Sequence, residues 1–392
     1  MTKKTIFSIA LACISGLTAH AQLNGDGYYR IQNVKTGRYM TLCDRHSRGA
    51  NSHTTNVDAG ALQTKKLWSD IESDPGSVFY IKKVNGTEYN ILAQGIDMHQ
   101  LINYYVRIDS KNNGQSYRFW QTSNGTTLYL SDENTKNEGK NNSFVKTAGP
   151  DTRDWKIIPL DNKGDNHLGM TPKVQANNGK YYTTYIAGFP YRLQSSGMKA
   201  YTITTLNESQ GVVGYKEING DIPANTPVII ECSSADGKNN LIQPLVSTSN
   251  TVSGNNVLTG VYFNVGDWIS GHYNYVEYNT EKQRLLSTNA AGELVFNTSD
   301  ASITSVKVVD DESYWVRVLP HNSAYIAATA STPTELKVVD AVTAGVSHIT
   351  TDAVKAGDIY TLTGIKVRTK ATSPEGLPQG IYIFNGKKIV VK

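Results

Sequence analysis

Short runs of alternating apolar and polar residues, broken every few positions by turn-forming dipeptides, constrain this 392-residue chain more than anything else in it. Tyr28-Tyr29-Arg30-Ile31, Val78-Phe79-Tyr80-Ile81 and Thr226-Pro227-Val228-Ile229-Ile230 carry the two-residue period of strands with one buried face. Asn85-Gly86, Asn124-Gly125 and Asp236-Gly237 supply turns between such runs. Helical periodicity is nearly absent. The pattern predicts an all-β chain of sandwiches or barrels.

The first residues read differently. Lys3 and Lys4 precede an apolar run from Ile6 to Leu17, and Ala19-His20-Ala21 has the small-x-small form of a cleavage site. A signal peptide over 1–21, cut after Ala21, is therefore expected, which places the mature chain outside the cell or on its outer surface. A lipid anchor on Cys13 is the competing reading. No later segment approaches the ~20 apolar residues of a spanning helix, so a chain that does not span the membrane is expected. The formal charge of +4 drops by two when Lys3 and Lys4 leave, too balanced to point to nucleic acid. Cys43 and Cys232 stand too far apart for a disulfide framework, so ordinary apolar cores must stabilise the fold.

A hairpin plan recurs three times, over Tyr28–Met40, Val78–Tyr89 and Tyr117–Tyr129, with Trp68 and Trp155 closing units. Each hairpin has an apolar face that it cannot bury alone, and three of them can close into one barrel. With the Tyr29-to-Gly37 opening Tyr-x-Ile-x-Asn-x-x-x-Gly, this arrangement over residues 22–161 resembles the ricin-type β-trefoil lectins. The resemblance implies sugar binding. The family's pocket aspartates correspond here to Thr41, Asn90 and Tyr129, and its Gln-x-Trp glutamine to Lys66 and Arg153. Asp44, Asn90 and Asp132 are candidate replacements.

Residues 162–173 are polar and turn-rich and read as a linker. A β-rich, sandwich-like module is expected over 174–340, and its Pro223-Ala224-Asn225-Thr226-Pro227-Val228-Ile229 strand entry is similar to a module of exported Bacteroidetes proteins. Proline suits a strand entry because it presets φ and donates no ladder hydrogen bond. After a second linker at 341–357, residues 358–392 form a small β unit. Its Leu377-Pro378-Gln379-Gly380-Ile381-Tyr382 turn and Lys-rich last strand look like the sorting tails of type IX secretion in that group.

No catalytic chemistry is expected. There is no Gly-x-Ser-x-Gly turn, no phosphate-binding glycine loop, and no His-x-His or His-x-x-x-His metal spacing. Neither a metal nor a cofactor is expected. Cys43 lies three residues from His46, but neighbouring positions alone do not make a catalytic pair. Asp310-Asp311-Glu312 reads as a solvated turn. The positive signal is aromatic. Tyr104 and Trp120 in the first part, with Trp268, Tyr273 and Tyr275 in a dense Tyr262–Tyr278 stretch, are candidates for stacking against sugar rings; the alternative is a Tyr-rich sheet face over a core. The expected function is carbohydrate binding through the trefoil-like part, or a protein-binding role as an adhesin or protease inhibitor. The expected partner is thus a glycan or an extracellular protein.

Overall fold

The computed structural model describes residues 23, 25–42, 62–98, 107–132, 142–146, 150–161, 164–252, 254–261, 276–308, 311–341, 357–371, 373–384 and 387–391. Throughout these residues the chain is all β, with only short 3-10 turns and isolated single-residue helical positions between strands.

The first sheet contains β1 (Gly27–Asn33), β2 (Tyr39–Leu42), β3 (Leu62–Lys65), β4 (Phe79–Asn85), β5 (Glu88–Ala93) and β6 (Ile96–Asp97). It continues with β7 (Arg107–Lys111), β8 (Ser116–Ser123), β9 (Thr126–Tyr129), β10 (Ser131–Asp132), β11 (Asn142–Lys146) and β12 (Trp155–Pro159). Following the pairings β1–β12–β8–β7–β5–β4 and back to β1 gives a closed antiparallel ring of six strands. Closure satisfies backbone groups that an open sheet leaves at its edges. Strands β2, β3, β11 and β10 continue from β1 outside the ring.

All three repeated hairpins place their first arm in the ring, as β1, β4 and β8. The turns follow from the sequence. Asn124 (φ 48°) and Gly125 (φ 77°) take the left-handed conformations that a two-residue hairpin turn needs. Alternate side chains fill the barrel, among them Ile31, Phe79, Ile81, Phe119, Trp155 and Ile157, all fully buried. The Trp155 indole meets Phe119 edge-on at 6.5 Å and donates its N–H to Leu130 O at 2.9 Å. A tryptophan there fills volume without leaving a polar group unpaired.

The second sheet is built from β13 (Val174–Gln175), β14 (Tyr181–Tyr185), β16 (Lys199–Asn207), β17 (Val212–Glu217), β18 (Val228–Cys232) and β20 (Leu258–Val261), with β21 (Gln283–Thr288), β22 (Leu294–Asn297), β25 (Ser323–Ala327) and β26 (Glu335–Asp340). Two further two-stranded sheets pair β15 (Tyr191–Leu193) with β19 (Ile242–Pro244), and β23 (Thr304–Val308) with β24 (Asp311–Val318). The parallel β17–β26 pair joins two halves of the sheet. These halves face one another across a core containing Tyr182, Ile203 and Ile229 from one and Phe296, Ile326 and Leu336 from the other. Ala324 N donates to Thr184 Oγ1 at 3.0 Å across that gap.

Two expectations change here. Asp236-Gly237 does not turn a hairpin: Asp236 caps a 3-10 turn by accepting from Lys238 N at 3.2 Å. Asp311 and Glu312 begin strand β24 rather than forming a turn, because the Val306–Lys307 run finds its partner in Trp315-Val316. Asp310 lies outside the described residues.

Residues 164–173, which connect the two sheets, are packed. His167, Leu168 and Met170 are buried, and Met170 shares a core with Val78 of the barrel side and Tyr185, Phe189 and Tyr191 of the second sheet. Arg30 anchors this junction. Its fully buried guanidinium lies 5.0 Å from the Trp68 ring and donates to Ser77 Oγ, to Ile71 O at 3.2 Å and to His167 O at 2.7 Å. Nearby, the His167 ring meets Glu72 Oε1 at 2.7 Å, and Gly169 N donates to Glu72 O at 3.0 Å. Gly95 and Gly188 bring two backbones together, where a Cβ on Gly188 would stand 2.0 Å from Gln94 O. No side chain fits there.

The last sheet has the order β28 (Lys366–Ala371), β27 (Gly357–Thr361), β29 (Gly380–Phe384), β30 (Lys387–Val391). Ile359, Tyr382, Phe384 and Ile389 form its small core.

Candidate functional site

Strands β14, β18, β16 and β17 are neighbours, and directly opposed residues of antiparallel strands project to the same side. Tyr182 opposes Glu231, Ile229 opposes Tyr201, and Ile203 opposes Tyr215. Three tyrosines and one glutamate therefore share a face that is otherwise apolar. They line a cavity of about 270 Å3, whose far side is formed by Glu293, by Leu294 at the start of β22 and by Lys337 and Val338 of β26.

Glu231 organises the floor. Its Oε2 accepts from the Tyr201 hydroxyl at 3.0 Å and from the Tyr182 hydroxyl at 3.4 Å. Its Oε1 stands 3.4 Å from Lys180 Nζ. Asn178 Nδ2 donates to the Tyr182 hydroxyl at 3.0 Å, and the Tyr215 ring meets Tyr201 edge-on at 5.0 Å. Burial, followed by hydrogen bonding to Glu231 and its charge, pushes the Tyr201 phenol far above its ordinary value. Tyr182 is raised too, again chiefly by burial. Both phenols stay protonated and act as donors. Across the cavity, the Asn289 amide and then Lys337 hold the Glu293 carboxyl below its ordinary value. Lys337 Nζ is 2.9 Å from Glu293 Oε2, and Asn289 Nδ2 is 2.8 Å from the same oxygen.

A larger cleft, of about 370 Å3, lies at the junction, between the Ser69–Gly76 segment of the first sheet and β14 and β25 of the second. Asp74 in its wall is committed to the fold, accepting from Gly76 N at 2.7 Å and from the Thr41 hydroxyl. Ser73 and Thr171 bond hydroxyl to hydroxyl at 3.1 Å across it. It offers few aromatic faces beyond Tyr185, which is buried.

The residues singled out in the sequence fall in different places. Asp132 is 1% exposed and accepts from Arg38 Nε at 2.8 Å, from Thr64 Oγ1 at 2.9 Å and from the Thr36 hydroxyl. That pairing ties β2, β3 and β10 together and leaves no oxygen facing solvent. Asn90 and Trp120 share the outer wall of the barrel: Glu88, two residues before Asn90, opposes Arg107, which opposes Trp120. Asp44, Tyr104, Trp268, Tyr273 and Tyr275 lie outside the described residues, as do Cys43 and His46. Of the Tyr262–Tyr278 stretch, Tyr278 is described, and its hydroxyl donates to Thr298 O.

The tyrosine cavity was not anticipated, although its signal was present. Val228-Ile229-Ile230-Glu231-Cys232 sets a carboxylate inside an apolar strand, and such a group needs partners. Its donors, Tyr182 and Tyr201, sit in runs that otherwise read only as core. Among the described residues no helix is long and apolar enough to cross a membrane. The chain matches no family model, and no curated protein matches it in sequence.

Proposed function

We propose that this chain is a non-catalytic, exported carbohydrate-binding protein, and that the cavity floored by Tyr182, Tyr201, Tyr215 and Glu231 holds a sugar. One observation carries this reading: aromatic rings and a multiply bonded carboxylate, its side chain 12% exposed, converge in a concavity of about 270 Å3. Sugars present C–H faces to aromatic rings and hydroxyls to carboxylates and amides. Asn177, Asn178 and Lys337 at the rim supply the donors that fix orientation. The volume lies just below the roughly 300–1,000 Å3 usual for small-molecule sites, which favours one or two sugar units.

Binding is favoured over hydrolysis because both carboxylates are already engaged, Glu231 by Tyr201, Tyr182 and Lys180 and Glu293 by Asn289 and Lys337. The closed six-strand ring and the three hairpins that feed it support reading residues 22–161 as a β-trefoil, and the signal-like residues 1–21 support export. Screening the mature chain on a glycan array tests the proposal. Saccharide binding that falls at least tenfold in both Tyr215→Ala and Glu231→Gln is expected. Silence across the array, or binding indifferent to both substitutions, would overturn it.

A further inference from the structure

The outer wall of the barrel carries a second arrangement that the tyrosine cavity does not use. Across β5, β7, β8 and β9, Glu88 opposes Arg107, Arg107 opposes Trp120, and Trp120 opposes Tyr129. The Arg107 guanidinium lies 5.1 Å from the Trp120 ring centre. The Tyr129 ring has Arg153 at 5.0 Å and Arg118 at 5.9 Å. Cations and rings thus interleave along one face.

Only some of these cations are neutralised. Arg118 is bound by Asp154, at 2.5 Å between Nε and Oδ1. Arg107 has a looser partner, Glu88 at 3.5 Å, and both side chains are more than a third exposed. Arg153 makes no ion pair among the described residues; its Nε–H is buried without an acceptor, so its terminal amino groups are the ones a ligand can meet. The Trp120 indole N–H is likewise buried, so Trp120 offers its ring. Stacking on aromatic rings restrains the plane of each guanidinium, which lowers the cost of a forked bond from its terminal amino groups to a carboxylate. Glu88 on Arg107 stands where such a carboxylate would sit. Arg107 and the Arg153–Tyr129 pair are separated by two strand spacings, roughly 10 Å, a span that a disaccharide bridges.

We infer that this wall binds an acidic saccharide, one whose uronate carboxylates are taken by Arg153 and Arg107 beside Trp120 and Tyr129. The inference rests on the reading of the chain as a glycan binder and assigns it a second site with a different preference. A nucleic acid is a poorer fit. Its affinity grows with the number of phosphates neutralised, and this wall has one wholly unpaired cation in a chain of formal charge +4.

The test titrates the mature chain with an oligogalacturonate and with its methyl ester at low and at high salt. The acid should bind at least tenfold more tightly than the ester, and more weakly as salt rises. Arg107→Gln combined with Arg153→Gln should cost at least tenfold, while Glu231→Gln leaves this affinity unchanged. Arg153→Lys, which keeps the charge and loses the fork, should bind several-fold more weakly than the parent chain. A thermal melt of each variant separates lost binding from lost folding. Equal binding of acid and ester would overturn the inference, as would a double variant that binds like the parent. So would equal competition by polyglutamate or a single-stranded oligonucleotide. Oligogalacturonate binding that vanishes in Glu231→Gln would move the ligand to the tyrosine cavity, refuting the wall site while keeping the glycan reading. Acid binding that persists when no neutral sugar binds would keep the wall site and refute the tyrosine cavity as a sugar site.

Discussion

Replacing Arg30 with methionine should loosen the junction between the two large sheets. The guanidinium is fully buried, and burial lowers its pKa from 12.5 to about 10 against the opposing pull of Asp74 and Glu72. At ~1.4 kcal/mol per unit, that depression corresponds to a net burial cost of about 3 kcal/mol, which the substitution relieves. Against this stand the contacts it removes. Ile71 O keeps the Ser77 hydroxyl at 3.3 Å, and Glu72 O keeps Gly169 N at 3.0 Å. His167 O and Ser77 Oγ lose a charged donor outright, at about 1.5–3 kcal/mol each. The stack on Trp68 adds about 1 kcal/mol. The balance is a destabilisation of about 1–4 kcal/mol. Urea unfolding followed by tryptophan fluorescence measures it, since Trp68 lies against the substituted side chain. A midpoint and slope unchanged from the parent chain would refute the assignment of Arg30 as the anchor of the junction.

Asp132→Asn should cost about 3 kcal/mol, because it removes the carboxylate charge that faces the Arg38 guanidinium, whose side chain is 3% exposed. Thermal unfolding checks the cost, and array binding should survive at temperatures where the variant is folded. Stability should also fall in acid. Asp221 is held below its ordinary 3.8 by Arg192, and Glu208 below its ordinary 4.5 by Thr332 and Ser331. Carboxylates depressed by folding contribute stability above their unfolded values and lose it as pH drops through the folded ones. Melting temperature should therefore be flat near neutrality and decline from about pH 4 downward; a flat profile into stronger acid would contradict these pairings. Burial pushes the Cys232 thiol up to about 12. In a Cys43→Ser background Ellman's reagent should leave Cys232 unlabelled in native protein at mildly alkaline pH and label it in denaturant; rapid native labelling would show that β18 opens.

How much of this was legible in the sequence depends on whether local or long-range chemistry decides. The Asn124-Gly125 hairpin was readable because two left-handed positions in a row leave few alternatives. So was Trp155, whose size and flanking alternation demand a core. Asp132 misled, because its partners Thr36, Arg38 and Thr64 are brought in by strand pairings that no short window encodes. The packed junction was hidden for the same reason. The polar residues of 162–173 suggest a free connector, yet His167 and Met170 are buried by residues up to 137 positions away. The tyrosine cavity needed β14, β18, β16 and β17 side by side, an order set by tertiary pairing. Only Glu231, out of place in an apolar strand, marked it in advance.

A crystal structure of the mature chain with the best saccharide from the array tests whether Glu231 and its tyrosines hold a sugar. A sugar ring is expected against Tyr215, with a hydroxyl bonded to Glu231 and the amides of Asn177 or Asn178 within reach. A saccharide seated elsewhere, with the tyrosine cavity empty, would contradict it.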